Sequence, residues 1–154
     1  MNKVQKEYRN KYLDSLDYKR RDKYSNFSAN YFCADEENAN ICAELILCGE
    51  KTATCSMKYW YESDLEPMPQ VGNLQVVTDW TGKPTSIIET IDVSECKFSE
   101  VTAEFAALEG EGDKSLSWWQ EAHWDFFSKE CQEQGIVPSE DMVLVLEKFK
   151  VVYS

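Results

Sequence analysis

Two short segments of this chain gather the residue types that could do chemistry. In Gly49-Glu50-Lys51-Thr52-Ala53-Thr54, a lysine and a threonine lie three apart where a glycine-stopped helix gives way to a strand. A threonine hydroxyl is a poor nucleophile at neutral pH and needs a base. A lysine serves as one only if desolvation lowers its pKa by several units from ~10.4. A carboxylate nearby would oppose that shift by favouring the ammonium form. Lys51 and Thr54 have opposite strand parity, so they share a face only if a bulge or turn bends the start of the strand. A surface lysine beside an ordinary strand residue remains the competing reading.

The second segment, Glu109-Gly110-Glu111-Gly112-Asp113, packs three carboxylates and two glycines just before a helix. The glycines imply backbone positions needing unusual φ or a close approach, and the acids favour a helix N-terminus. The segment is either a capped acidic loop or the source of an acid or base acting on a substrate or orienting the lysine. Trp118, Trp119 and Trp124 follow it and could offer a stacking surface, although Trp119 shares a stripe with Leu116 and Phe127 that belongs in a core. His123 is the chain's one histidine. It lies on that same stripe, which fits a satisfied structural imidazole and excludes multi-histidine metal sites. There is no G-x-x-x-x-G-K-[ST] and no G-x-G-x-x-G, so phosphate-cradling nucleotide folds have no support.

Cysteines at 33, 42, 48, 55, 96 and 131 form no C-x-x-C pair and no zinc spacing. They are expected to be reduced, several as small core hydrophobes, with no metal and no cofactor.

The elements that must position these residues read as follows. Val4, Tyr8, Tyr12 and Leu16 predict an amphipathic helix over residues 3–23, an added arm. Asp35 caps a second helix in which Ile41, Leu45 and Cys48 share a face and which Gly49 stops. Residues 52–56 read as a strand, followed by a loop punctuated by Pro67 and Pro69. Leu74, Val76, Thr78 and Trp80, a turn at 81–84, then Ile87, Glu89, Ile91 and Val93 predict a hairpin. Asp113 caps a third helix ending near Gly135, and residues 143–153 alternate as a last strand. The fold class is α+β, around a small, mostly antiparallel barrel or curved sheet.

The 154 residues suit one compact domain, with 43% hydrophobic residues and 20 aromatic side chains to fill it. Sixteen basic against 28 acidic residues give a net charge of −12. Residues 1–25 are an exception, with eight basic and four acidic side chains. The acidic body would repel a phosphate backbone, so duplex DNA is excluded as a partner. The leading segment is either a solvated helix face or an electrostatic arm for RNA. No apolar run reaches the ~20 residues of a membrane span and no secretory signal opens the chain, which predicts a soluble, cytoplasmic protein.

The sequence resembles the ASCH domain family, in its longer bacterial branch, over residues from about 31 to 153. Gly49-Glu50-Lys51-Thr52-Ala53-Thr54 is similar to the family's G-x-K-T-x-T signature, and Pro69-Gln70-Val71-Gly72 to its P-x-V-G turn. Glu109-Gly110-Glu111-Gly112-Asp113-Lys114-Ser115-Leu116 is similar to its E-G-E-G-D-x-S-L run. Trp119, His123, Trp124, Phe126 and Phe127, then Pro138-Ser139-Glu140-Asp141-Met142, continue the pattern in order.

The resemblance implies a PUA-like β-barrel with flanking helices over residues 26–154, preceded by the cationic helix of residues 1–25. It also implies a cleft between the barrel and the acidic loop. Small bacterial relatives hydrolyse the amide of N4-acetylcytidine, and their functional residues carry over to Lys51, Thr54 and Glu109 as catalytic groups, with Glu111 the alternative to Glu109. Glu111, Asp113, Ser115, Trp119, His123 and Tyr59 are the expected substrate contacts. A basic residue that follows the signature in those relatives is Ser56 here. The enzyme reading has Thr54 attack a carbonyl, Lys51 carry the proton and Glu109 position or protonate the leaving amine. It expects Lys51→Ala to abolish turnover with little thermal cost. The alternatives are an RNA-binding module or ribonuclease taking short single-stranded RNA, with the cationic first helix and Lys51, Lys58 and Lys83 as a local strip, and a ligand-sensing domain without catalysis.

Overall fold

A computed structural model describes residues 1–63 and 65–154. Among them the chain forms six helices and five strands: α1 (Lys3–Asp14), α2 (Tyr18–Arg21), β1 (Phe27–Asn30), α3 (Glu36–Leu47), β2 (Ala53–Met57), α4 (Tyr59–Glu62), β3 (Leu74–Thr78), β4 (Pro84–Lys97), α5 (Ala103–Glu109), α6 (Leu116–Glu133) and β5 (Val143–Tyr153). The strands make one sheet in the order β1-β3-β4-β5-β2. β1 runs parallel to β3, and the other three pairings are antiparallel.

The α+β class stands, but the expected closed barrel is corrected to an open sheet, because β1 and β2 are its two edges and do not pair. Closure needs edge strands that can pair along their length. β1 offers only four residues before the chain turns off through Phe32 to Asp35 into α3. Register shifts at Val77/Thr78, Ile87/Ile88 and Thr90/Asp92 put bulges in the two central pairings. They also break the predicted alternation along β4: Ile87 and Ile88 are both buried, while Ile91 is exposed.

The predicted helix over residues 3–23 is two helices. Asn2 and Gln5 form a capping box that starts α1, and Asp17 accepts from the Arg20 N–H to start α2 afresh. α1 packs against the sheet: Tyr12 and Leu13 are buried with Leu74, Val76 and Ile87, and Gln5 Nε2 donates to Gly82 O at 2.9 Å.

The buried face of α3 is Ala39, Cys42, Ala43 and Ile46, not the predicted Ile41, Leu45 and Cys48, of which Ile41 and Cys48 are exposed. Both sets have helical spacing. Ala43 and Ile46 pack on Val77, Ile88 and Phe149, and that contact decides between them.

The largest core joins α5 and α6 to β2 and β5 through Phe105, Trp119, Phe127, Cys131, Ala53 and Leu144. No helix among the described residues is long and apolar enough to cross a membrane.

Candidate active site

The lysine is positioned by the way α3 ends. Gly49 adopts φ +82°, its N–H donates to Ile46 O at 3.1 Å, and the Glu50 N–H donates to Leu45 O at 2.9 Å. This is a Schellman stop that turns the chain back towards β2. Thr52 N–H then donates to Leu108 O at 2.8 Å, pinning the segment against the end of α5.

Lys51 therefore sits before the strand begins, which supplies the bend the sequence required. Lys51 and Thr54 line the same cleft of about 350 Å³. On the facing side, Gly110 closes α5 in the left-handed region at φ +70°, and an added Cβ would lie 2.4 Å from Glu50 O. Gly110→Ala is thus expected to cost at least about 1–2 kcal/mol in backbone conformation alone, with more from the clash. Calorimetry checks this, and an unchanged melting temperature would contradict the close approach.

Lys51 is 2% exposed. Its Nζ donates to Ala53 O at 3.0 Å, Glu109 Oε1 at 3.3 Å and Glu111 Oε2 at 3.0 Å, and it lies 5.8 Å from the Phe32 ring centre. Burial opposes its charge, but the carboxylates of Glu109 and Glu111 outweigh that and hold the amine above its ordinary pKa. Lys51 is an ammonium at neutral pH, the reverse of the shift a general base needs.

Glu109 is as deeply buried. Burial pushes its carboxyl up, but Lys51, His123 and Trp119 pull it down to about 2. Oε2 accepts from Trp119 Nε1–H, from His123 Nε2 at 3.2 Å and from the Cys55 thiol at 3.6 Å. With four donors on its two oxygens, Glu109 is a fixed anion rather than a proton carrier.

His123 Nδ1 faces Trp119 O at 2.9 Å, and Nε2 faces the Glu109 carboxylate. Both neighbours only accept, so both nitrogens must donate and the ring is an imidazolium. Burial disfavours that charge, yet the Glu109 hydrogen bond raises the pKa above its ordinary 6.5. Two cations, Lys51 and His123, thus balance two anions, Glu109 and Glu111. Glu111 is the more open carboxylate, with its side chain 16% exposed in the cleft against 2% for Glu109.

Of the predicted site residues, the cleft brings together Lys51, Thr54, Glu109, Glu111 and His123, with Trp119 buried behind them. Asp113, Ser115 and Tyr59 do not line it. Ser115, not Asp113, caps α6, accepting from the Trp118 N–H at 3.1 Å, while Asp113 accepts from the Ser115 N–H at 2.8 Å. Tyr59 packs against the main core. Lys51 cannot join a surface strip of lysines, and Lys58 is paired with Glu95 at 3.0 Å and Glu62 at 3.5 Å.

The cleft also holds residues the sequence reading did not select: Phe32, Cys33, Asp35, Asn38, Asp125 and Phe126. Trp118 is fixed in its wall because its indole lies flat on Gly112, where a Cβ would fall 2.1 Å from the ring.

Among the described residues two donor sets converge, Cys33/Cys42/Glu111 and Cys55/Glu109/His123. In the second, both imidazole nitrogens carry protons and Glu109 is saturated. In the first, Glu111 Oε1 accepts from both thiols and Oε2 from the Lys51 ammonium. Neither set as arranged offers a cation an open ligand shell.

A family model described as the ASCH domain matches residues 28–153. The crystal structure of an ASCH domain from Lactobacillus crispatus JV V101 is 59% identical, with a TM-score of 0.98 over 100% of this chain and 97% of that one. A protein of Enterococcus faecalis V583 is 28% identical, with a TM-score of 0.83 over 99% of this chain and 90% of that one. No curated protein matches.

Proposed function

The chain belongs to the ASCH domain family, and from that premise we propose that its cleft hydrolyses the amide of a small, uncharged acylated nucleoside or a related amide. The observation that carries this reading is the buried Lys51 ammonium, held between two carboxylates at the wall of an aromatic-lined cleft that Thr54 shares.

Phe32, Trp118 and Phe126 supply apolar faces against which a base can stack. The Thr54 hydroxyl adds to the carbonyl carbon, its proton passes to the Glu111 carboxylate, and the carbonyl π electrons move onto oxygen. Once protonated, Glu111 holds Lys51 less tightly, so an ammonium N–H turns to the oxyanion. Collapse breaks the C–N bond, and the leaving amine takes the proton from Glu111. Water then adds to the threonyl ester with Glu111 again accepting a proton, and Thr54 Oγ leaves and regains it. Glu109 and His123 do not exchange protons; they keep Lys51 charged and aimed. The roles of Lys51 and Glu109 thus differ from those implied by the resemblance, in which Lys51 carries the proton.

Charge in the cleft selects among nucleoside derivatives. Asp35, Glu109, Glu111 and Asp125 face it against Lys51, Lys129 and the His123 imidazolium, an arrangement that does not attract a dianion. A panel of N-acylated nucleosides and their 5′-monophosphates, followed by product chromatography, tests both points. The expected result is turnover of the nucleosides, a kcat/KM about tenfold or more lower for the phosphates, and no turnover by Thr54→Val. Full activity in Thr54→Val, or no hydrolysis of any acylated nucleoside, would overturn the reading.

A further inference from the structure

Two adjoining thiols, one of them lining the cleft, take no part in the chemistry above. Cys33 lies in the turn between β1 and α3, and Cys42 lies on the buried face of α3. Their sulfurs are 2.9 Å apart, longer than the ~2.05 Å of a disulfide but within reach of one after a small rotation of either side chain. Cys33 lines the cleft, whereas Cys42 is 1% exposed. Cys33 also holds φ +71°, a conformation that non-glycine residues adopt at a cost and that keeps its side chain at this place. Both thiols point at one carboxylate oxygen: Glu111 Oε1 accepts from Cys33 at 3.6 Å and from Cys42 at 3.4 Å, while Oε2 is on Lys51.

We propose that Cys33 and Cys42 are a redox pair that closes to a disulfide by exchange with a small disulfide entering the cleft, and that closure switches the site through Glu111. The second part rests on the reading of Glu111 as the working base. In the first step the Cys33 thiolate attacks one sulfur of the incoming disulfide. Its S–S bond breaks, and one thiolate leaves and takes up the proton Cys33 lost. In the second, Cys42 gives its proton to Glu111 and attacks the Cys33 sulfur of the mixed disulfide. The second thiolate leaves and receives that proton. Two protein thiols are oxidised and one small disulfide is reduced to two thiols. The order follows from access and from Cys42, whose thiol is pushed up by the adjoining Cys33 thiol, burial and neighbouring Glu111. Closure removes both S–H donors from Glu111 Oε1, so the carboxylate is no longer held towards the cleft and shifts against Lys51.

Glutathione disulfide is the probe. After incubation of the full chain, alkylation of remaining thiols and peptide mass analysis, the expected product links Cys33 to Cys42 and leaves Cys48, which is exposed and close in sequence, alkylated. Cys42→Ser is expected to stop at a mixed disulfide on Cys33. Both thiols alkylated in the native chain, or a link through Cys48 in their place, would overturn the pair.

Coupling is read without substrate from the NMR signal of the Lys51 side chain, which should move on oxidation and return with dithiothreitol; an unmoved signal overturns the switch. Turnover of an acylated nucleoside is expected to fall about tenfold on oxidation. Absence of turnover in both redox states would sink the hydrolase reading and leave the disulfide and its coupling to be judged on mass and NMR.

Discussion

Replacing Lys51 by alanine should lower the melting temperature by roughly 6–20 °C. Removing one partner of a buried ion group costs about 3–5 kcal/mol, and each kcal/mol is worth about 2–4 °C in a domain of this size. The reason is what the substitution leaves behind. Glu109 and Glu111 lie 3.3 and 3.0 Å from Nζ, and without the ammonium Glu109 is a carboxylate at 1% exposure facing only His123, Trp119 and Cys55. Lys51→Met should destabilise almost as much, because it restores the hydrocarbon chain but not the charge. A small thermal cost, which the sequence alone suggested for Lys51→Ala, is incompatible with this burial. Calorimetry at neutral pH decides: a fall of less than about 2 °C would mean that the amine is solvated.

Glu109→Gln is expected to be of similar size, about 3–5 kcal/mol, and to change the pH dependence of stability in a defined direction. The Glu109 carboxyl falls from 4.5 to about 2 in the fold, so its stabilisation is complete above about pH 4.5 and is lost as pH drops from there towards 2. His123 is raised above 6.5, so its contribution is complete below that value and is lost as pH rises through the folded pKa. Glu147 adds to the alkaline side: burial, then the charge of Glu66, pushes it from 4.5 to about 7, so its ionisation costs stability as pH rises through that range. The native chain should be most stable near pH 5 and lose stability on both sides. In Glu109→Gln the acid limb should weaken and the His123 part of the alkaline limb should shrink, leaving mainly the slope from the raised Glu147 and Glu130. Melting curves from acid to mildly alkaline pH test this, and limbs of unchanged shape in the variant would contradict the assignment.

The sequence carried the α+β class, the hairpin of β3 and β4, α6 with its stripe of Trp119, His123 and Phe127, and the strand at 143–153. These have strong periodicity and clear stops. Another element carries equally clear signals. Residues 102–110 run Thr-Ala-Glu-Phe-Ala-Ala-Leu-Glu-Gly, a capped helix with a glycine stop, and that helix is α5, which carries Glu109 on its last turn.

β1 has four residues and no alternation long enough to see, and its parallel pairing to β3 is a non-local contact. Barrel closure likewise depends on whether two edges far apart in sequence meet. Local pattern could not choose between two helical faces of α3, because small residues become a packing face only when there is a sheet to receive them.

The site divides in the same way. The residue types at 51, 54, 109 and 111 were visible, and so was the principle that a carboxylate would oppose a neutral lysine. The protonation states follow from distances that sequence does not contain: two carboxylates on one amine, and an imidazole wedged between a carbonyl and a carboxylate. The closeness of Cys33 to Cys42 involves a left-handed residue that is not glycine, for which nothing in the local sequence gives a signal.

The proposed reaction requires Lys51 to stay a cation throughout rather than act as a base. The most direct test follows the side-chain 13Cε and 15Nζ signals of lysine-labelled protein with pH, assigning Lys51 from the conservative variant Lys51→Arg. The predicted result is a Lys51 resonance that stays at the ammonium position from about pH 6 to 9 and titrates, if at all, above the ordinary ~10.4. A Lys51 midpoint near neutrality would contradict the account, return the proton-accepting role to the amine and remove it from Glu111.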